Sequence, residues 1–306
     1  MQILSPQLDL NSFFARLTNV KQRVLMLDYD GTLAPFRVER EQAFPYPKVL
    51  ELLNDILQTR TTRIVIISGR SIEDLTPLIH LEPLPEIWGS HGWEHLSVDG
   101  KYEITPMDDC TKQALAEAQE YIVSLGLLDY CEHKPASIAM HWRGLTPELA
   151  NSIHTKVIEH WRKLLEQTQL KIHPFDGGIE LRALGKNKGT TVQTIISNIQ
   201  EESILVYLGD DLTDEDAFKA IKDKGMSILV REELRSTNAE LWLKPPEELL
   251  EFLSNWKDAC IISLFKGNLE DAALHILEQL GEIKRPYLTL LEEQLLSLLE
   301  REYRVG

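Results

Sequence analysis

The chain has 306 residues, 43% of them hydrophobic and 26% charged, with a formal net charge of −16. That length supports two domains, or one domain with an insertion, around a core that needs no covalent staples. So acidic a surface argues against nucleic acid and anionic membrane as the main partner. Three cysteines (Cys110, Cys131, Cys260) without a CxxC spacing indicate neither a disulfide framework nor a zinc site. No apolar run reaches membrane-spanning length, and the first twenty residues show no basic segment leading into an apolar one. A soluble protein in a reducing, cytoplasmic setting is expected.

In chain order, residues 24–27 are apolar and read as a buried strand that runs into Asp28-Tyr29-Asp30-Gly31-Thr32. Side chains two apart on a strand share a face, so the spacing predicts Asp28 and Asp30 side by side at the strand's C-terminal end. Gly31 lets the backbone turn close to a ligand. Two such carboxylates repel unless a cation lies between them, and a hard, oxygen-preferring divalent ion suits the place. Without one, the segment is a solvated acidic turn. Residues 47–57 show helical spacing through Val49, Leu50, Leu53 and Leu57. Residues 63–67 form a second β-branched strand ending in Ser68-Gly69-Arg70, and 71–79 begin a helix capped by Ser71 with Asp74 one turn in. Residues 87–89 lead into Ser90-His91-Gly92.

Between about 107 and 176 the pattern changes. Residues 111–125 read as an amphipathic helix, 136–142 as a half-exposed strand, and Thr146-Pro147-Glu148 as the start of a long helix with proline in its first turn. A short strand over 170–175 precedes Gly177-Gly178, a hinge back to the first domain, and 179–184 add a strand beside that junction. Another apolar strand, 204–208, ends in Gly209-Asp210-Asp211. Beyond 256 comes a helical tail in which Leu288, Leu291, Leu295 and Leu298 form a short stripe. The stripe packs on the main domain or supports weak self-association, being too short for a coiled coil. The expected fold is therefore α/β: a Rossmann-like parallel sheet core from 1–107 and 177–256, a small inserted α/β cap over 108–176, and a helical C-terminal tail over 257–306. Ligands of such sheets sit beyond the strand C-termini.

Four groups occur in order at those ends: Asp28 to Thr32, Ser68, Lys188 before Gly189, and Gly209-Asp210-Asp211. Together they match phosphoryl transfer through an aspartyl phosphate. One carboxylate attacks phosphorus, a second group moves protons, a metal with a further carboxylate neutralises charge, and a hydroxyl and a lysine hold the phosphoryl oxygens. Singly each is weak: Ser68 is otherwise a helix cap and Lys188 a surface lysine. Other motif-like stretches fail on spacing. Residues 185–191 lack the glycines of a nucleotide loop, 210–216 lack the glycine of a calcium loop, and His91, His133 and His141 fit no zinc-binding pair.

These residues carry a family resemblance. The chain resembles the haloacid dehalogenase-like phosphatases and, within them, the branch acting on trehalose 6-phosphate. The match rests on Asp28-Tyr29-Asp30-Gly31-Thr32-Leu33-Ala34-Pro35, Ser68-Gly69-Arg70, Gly89-Ser90-His91-Gly92 and the stretch from Gly209 to Phe218. The resemblance implies Asp28 as nucleophile and Asp30 as general acid/base. It implies Mg²⁺ held by Asp28, the main-chain carbonyl of Asp30 and Asp210, with Asp211 and Asp214 close by. Ser68 and Lys188 would bind phosphate, and Arg70 and His91 would brace the pocket. Sugar contacts would come from Glu132, Lys134, His141 and Arg143 in the cap and Glu180 at its return. The family's Glu-Asp-Lys reads Glu132-His133-Lys134 here, and Arg182-Ala183 and Lys186-Asn187-Lys188 also depart from its usual pattern. The implied substrate is a sugar phosphate, trehalose 6-phosphate, handled by a monomer or weak homo-oligomer. The alternatives are another glycosyl phosphate such as glucosylglycerol phosphate, a metal-dependent glycosyltransferase, which the order of Ser68, Lys188 and Asp210 disfavours, and a non-catalytic assembly protein.

Overall fold

The alternation of side chains along the strands decides the layers in the computed structural model, which describes residues 1–175, 177–199 and 202–265. The first elements are β1 (Gln2–Ile3), α1 (Leu10–Leu17), β2 (Gln22–Leu27), α2 (Val49–Gln58), β3 (Thr62–Ile67), α3 (Ile72–Leu75), β4 (Glu86–Gly89), β5 (Glu94–Leu96) and β6 (Tyr102–Ile104). Then follow α4 (Asp109–Ser124), β7 (Cys131–Lys134), β8 (Ser137–His141), α5 (Pro147–Leu164), β9 (Leu170–Phe175) and β10 (Gly178–Ala183). The last are α6 (Lys188–Ser197), β11 (Ser203–Gly209), α7 (Glu215–Ile221), β12 (Met226–Val230), β13 (Leu241–Leu243) and α8 (Glu247–Phe265).

Leu25 and Leu27 of β2 point to one face, where Ile64, Ile66, Val206 and Leu208 join them against Phe252 and Trp256 of α8. Val24 and Met26 point to the other, with Val65, Ile67, Leu205 and Tyr207, against Val192 and Ile195 of α6 and Phe218 of α7. Both faces are covered, as continuous apolar strands require. The nine-stranded sheet runs β1-β13-β12-β11-β2-β3-β4-β5-β6. From β13 to β4 neighbouring strands are parallel; β1 at one edge and β5 and β6 at the other are antiparallel additions that the sequence reading did not include. Because β11, β2 and β3 are neighbours, their C-terminal ends bring Asp210, Asp28 and Ser68 to one rim.

The inserted region forms a separate four-stranded antiparallel sheet, β7-β8-β10-β9. Ile138, Met140, Ile179 and Leu181 cover one face with Leu115, Ala118 and Ile122 of α4 and Ile153, Val157 and Trp161 of α5. Period-two alternation puts Glu132, Lys134, Ser137, His141, Glu180 and Arg182 on the opposite face. Two details differ from expectation. Strand β8 is buried rather than half-exposed, because it is an interior strand whose polar face also meets neighbours. Gly177-Gly178 is no hinge: β9 and β10 form a hairpin there, with Gly178 opposite Phe175, so the strand assigned to the core sits in the second sheet. The chain returns to the first sheet only after Ala183.

Residues Met1–Cys260 form one compact unit. Of the second unit, Ile261–Gly306, only the end of α8 is described, and the leucine stripe of the tail lies outside the described residues. Among the described residues no helix is long and apolar enough to cross a membrane.

Candidate active site

Asp28 extends the β2–β11 pairing by one residue, its amide donating to Leu208 O at 2.9 Å. The backbone then leaves the strand. Thr32, Leu33 and Ala34 amides reach back to Tyr29 O, and Gly31 N–H donates to Ala34 O at 2.7 Å. The two aspartates therefore part company. Asp28 is buried and its Oδ1 lies 2.7 Å from Lys188 Nζ. Asp30 turns to Arg70, whose Nε and Nη2 donate to its two oxygens at 2.7 and 2.6 Å. The Asp30 side chain stays 27% exposed. A strand-face pairing of the two carboxylates, expected from the i, i+2 spacing, does not form, because the strand ends at Leu27.

Lys188 is the first residue of α6, started by a capping box in which Asn187 and Thr190 exchange side-chain and main-chain bonds. Its ammonium bridges Asp28 and Asp214, 2.7 Å from each. Burial opposes its charge, but those two carboxylates outweigh it and raise the lysine above its ordinary value. Ser68, fully buried at the end of β3, accepts the Arg70 amide at 3.1 Å through Oγ.

Asp28, Asp210 and Asp214 offer oxygens that all lie within 4.8 Å of one another. Burial, then Asp214, pushes Asp28 up to about 7 against the pull of Lys188. Burial, then Asp28, pushes Asp210 well above the usual carboxylate range. Such crowding of oxygen donors suits a hard divalent cation, whose charge relieves it. Gly31 leaves the space: a Cβ there would stand 2.1 Å from Asp210 Oδ2. Asp214 differs from the other two, since its carboxylate is already spent. Oδ1 accepts from Lys188 at 2.7 Å and Tyr207 at 2.5 Å, and Oδ2 from the amides of Asp210 and Asp211 at 3.2 and 3.0 Å. It orients the lysine and the Asp210 loop, whereas Asp28 has Lys188 on Oδ1 and a long 3.4 Å contact from Thr32 Oγ1 on Oδ2, so Asp28 and Asp210 keep more capacity for a metal.

The polar face of the second sheet carries the other named residues. Glu132 takes Arg40 Nη2 at 2.5 Å, His141 Nε2 at 3.0 Å and Lys134 Nζ at 3.4 Å. Burial would raise this carboxyl, but Lys134, His141 and Arg40 outweigh it and hold it at about 2. Glu180 accepts from Lys134 at 3.1 Å and Ser137 at 2.6 Å, and also pairs with Arg182. Burial would raise it too; Lys134 and Arg182 hold it well below its ordinary range. His91 comes from the first sheet and brings Nε2 within 3.5 Å of Glu180, while burial and then Arg182 press it down to about 3, so it is neutral. Arg143 sits over the Phe36 ring at 5.4 Å. His133 lies on the opposite side of β7 and is exposed, so the departure from the family pattern there falls outside this cluster.

Sequence reasoning missed Arg40, Ser137, Tyr207 and the pairing of Arg182. Period-two alternation had the signal for Ser137 and Arg182 once strands were assigned; Arg40 lies in an irregular stretch with no pattern to read.

The sequence model of the trehalose-phosphatase family matches residues 26–245. Trehalose-phosphate phosphatase B of Arabidopsis thaliana is 30% identical over 268 residues, covering 78% of this chain and 67% of its own. The trehalose-phosphate phosphatase of Mycobacterium marinum is 29% identical over 248 residues, covering 76% of this chain and 61% of its own, so the chain spans about three fifths of that relative. The C-terminal domain of Candida albicans trehalose-6-phosphate phosphatase shares the fold, with a TM-score of 0.69 at 21% identity over 84% of this chain and 99% of that one. With a match over most of its length and the carboxylates and lysine gathered at one sheet rim, the chain belongs to the trehalose-phosphatase family of haloacid dehalogenase-like phosphatases.

Proposed function

We propose that the chain hydrolyses trehalose 6-phosphate to trehalose and phosphate through an aspartyl phosphate, with Mg²⁺ as cofactor. The observation that carries this reading is the polar face of the second sheet, where Glu132, Lys134, His141 and Glu180 gather, tied by Arg40 and His91 to the rim that holds Asp28, Asp30 and Lys188. Carboxylates and ammonium groups so placed make charge-assisted hydrogen bonds to sugar hydroxyls.

Asp28 attacks phosphorus in line with the departing sugar oxygen. Asp30, aimed by the Arg70 fork, protonates that oxygen as the P–O bond breaks, then takes a proton from the water that hydrolyses the acyl phosphate. Lys188 and Ser68 hold the nonbridging oxygens. When bound, Mg²⁺ held by the Asp28 and Asp210 carboxylates and the Asp30 main-chain carbonyl supplies neutralising charge for the phosphoryl group. Asp214 keeps Lys188 charged and in place.

Phosphate release across a panel of sugar phosphates, with and without Mg²⁺, tests the reading. Trehalose 6-phosphate should be cleaved with the highest kcat/KM, and chelation should abolish turnover. A preference for glucosylglycerol phosphate would replace the sugar and keep the chemistry; no release from any ester would overturn both.

A further inference from the structure

Arg40 lies in the irregular stretch between Ala34 and α2, on a short 3-10 turn (Arg40–Gln42), and touches both halves of the site. Its Nη2 lies 2.5 Å from Glu132 Oε1 on the second sheet. Its main-chain carbonyl accepts Arg70 Nη1 at 2.9 Å, an oxygen shared with the Ala43 amide at 3.2 Å. The remaining Arg70 nitrogens carry the fork to Asp30. A continuous run of hydrogen bonds, most of them charge-assisted, thus joins the cap's polar face to the proton-moving carboxylate.

The geometry makes the link directional. Two bonds to Asp30 fix the edge of the Arg70 guanidinium, and the third, to Arg40 O, fixes its far end. That carbonyl is only as steady as its stretch of chain. Tyr46 N–H to Leu33 O (2.9 Å) and Tyr29 OH to Ala43 O (2.8 Å) anchor the distal end. The middle is seated on the second sheet by Arg40 on Glu132, and on the turn after β8 by Phe36 under Arg143.

We propose that Arg40 is a positioning residue that couples the cap to proton transfer: Glu132 holds its side chain, its carbonyl steadies Arg70, and Arg70 sets the Asp30 carboxyl toward the leaving oxygen. The inference rests on the acid/base role of Asp30 in the proposed function. In that step the electrons of the breaking P–O bond go to the departing oxygen and the Asp30 proton follows them. An alkoxide needs that proton; a nitrophenolate leaves without it.

The test is the dependence of phosphate release on leaving-group acidity, measured with Mg²⁺ on p-nitrophenyl phosphate, less activated aryl phosphates and a short alkyl phosphate. Arg40 is partly exposed, with 26% of its side chain accessible, so its replacement leaves the core intact. Arg40→Met should lose about tenfold on the alkyl ester and less than about twofold on p-nitrophenyl phosphate. Arg40→Lys should fall between Arg40→Met and wild type. Glu132→Gln should also lose activity on the alkyl ester, and the double variant should lose no more there than Arg40→Met alone. Equal losses on every ester would mark Arg40 as merely structural and overturn the inference, as would an unchanged slope. If wild type cleaves these esters but not trehalose 6-phosphate, the sugar assignment fails and this inference stands. If it cleaves none, both fall.

Discussion

Gly31→Ala perturbs the proposed metal site with a single carbon. Gly31 sits at φ +82°, and a Cβ built on it would stand 2.1 Å from Asp210 Oδ2 and 2.3 Å from Asp210 Cγ. Side-chain carbons keep at least 3.0 Å from such neighbours, so Asp210 has to retreat by about 0.9 Å. A displacement of about 1 Å in a reacting constellation lowers rates by about a hundredfold, near 2.7 kcal/mol of barrier. The left-handed backbone separately costs an L-residue about 1–2 kcal/mol, which in a chain of this size lowers Tm by a few degrees. Gly100 separates the two effects: it has the same φ of +82° and nothing within 4 Å of its Cβ. Gly100→Ala should show the same modest drop in Tm with full activity. Gly31→Ala should show that drop plus the hundredfold loss in kcat and a higher half-saturating Mg²⁺. Phosphate release under a Mg²⁺ titration, paired with thermal melts, measures both. Gly31→Ala activity within twofold of Gly100→Ala would refute the assignment of Asp210 to the metal.

Asp28→Asn should reduce turnover by at least about a thousandfold while leaving Tm, measured without Mg²⁺, no lower than wild type. Burial and Asp214 raise the Asp28 carboxyl to about 7, so its ionised form opposes folding at neutral pH, and Lys188 keeps Asp214 as partner; a Tm drop of several degrees would contradict this. Glu132→Ala should weaken trehalose 6-phosphate hydrolysis at least about tenfold more than hydrolysis of a short alkyl phosphate, which needs the same leaving-group proton but offers no sugar hydroxyls; equal losses would count against a sugar site there. His91 is held at about 3 in the folded chain against 6.5 when unfolded, so the unfolded state binds the extra proton and stability falls as pH drops from 6.5 toward 3. Between pH 7 and 5 this amounts to about 2 kcal/mol, which His91→Asn should remove; denaturant melts at those two pH values with the same loss in both proteins would exclude it.

Much of the fold was legible because apolar strands and helix caps are local signals. Residues 24–27, 63–67 and 204–208 became the central strands β2, β3 and β11, and Ser71 and Thr146 cap the helices expected of them. The antiparallel edges were not legible, since β5 and β6 are three residues long and β1 only two. The misread hinge has a similar cause. Gly177-Gly178 signals a turn, and only the register of β10 against β8 and β9 tells whether that turn joins two strands or two domains.

Local pattern alone located the polar groups that follow the strands: two aspartates after one, a serine after the next, a lysine before Gly189 and a further aspartate after the last. Each follows an element whose apolar pattern locates its end, so order and place could be read residue by residue. How these groups are partnered follows from the folded arrangement. Asp28 goes to Lys188 and Asp30 to Arg70, because the strand stops one residue before the pair. Glu180 meets Lys134 across 46 positions and Glu132 meets Arg40 across 92. Local spacing encodes neighbours one turn or one pleat away, whereas these pairs depend on the register of one sheet and its placement over another.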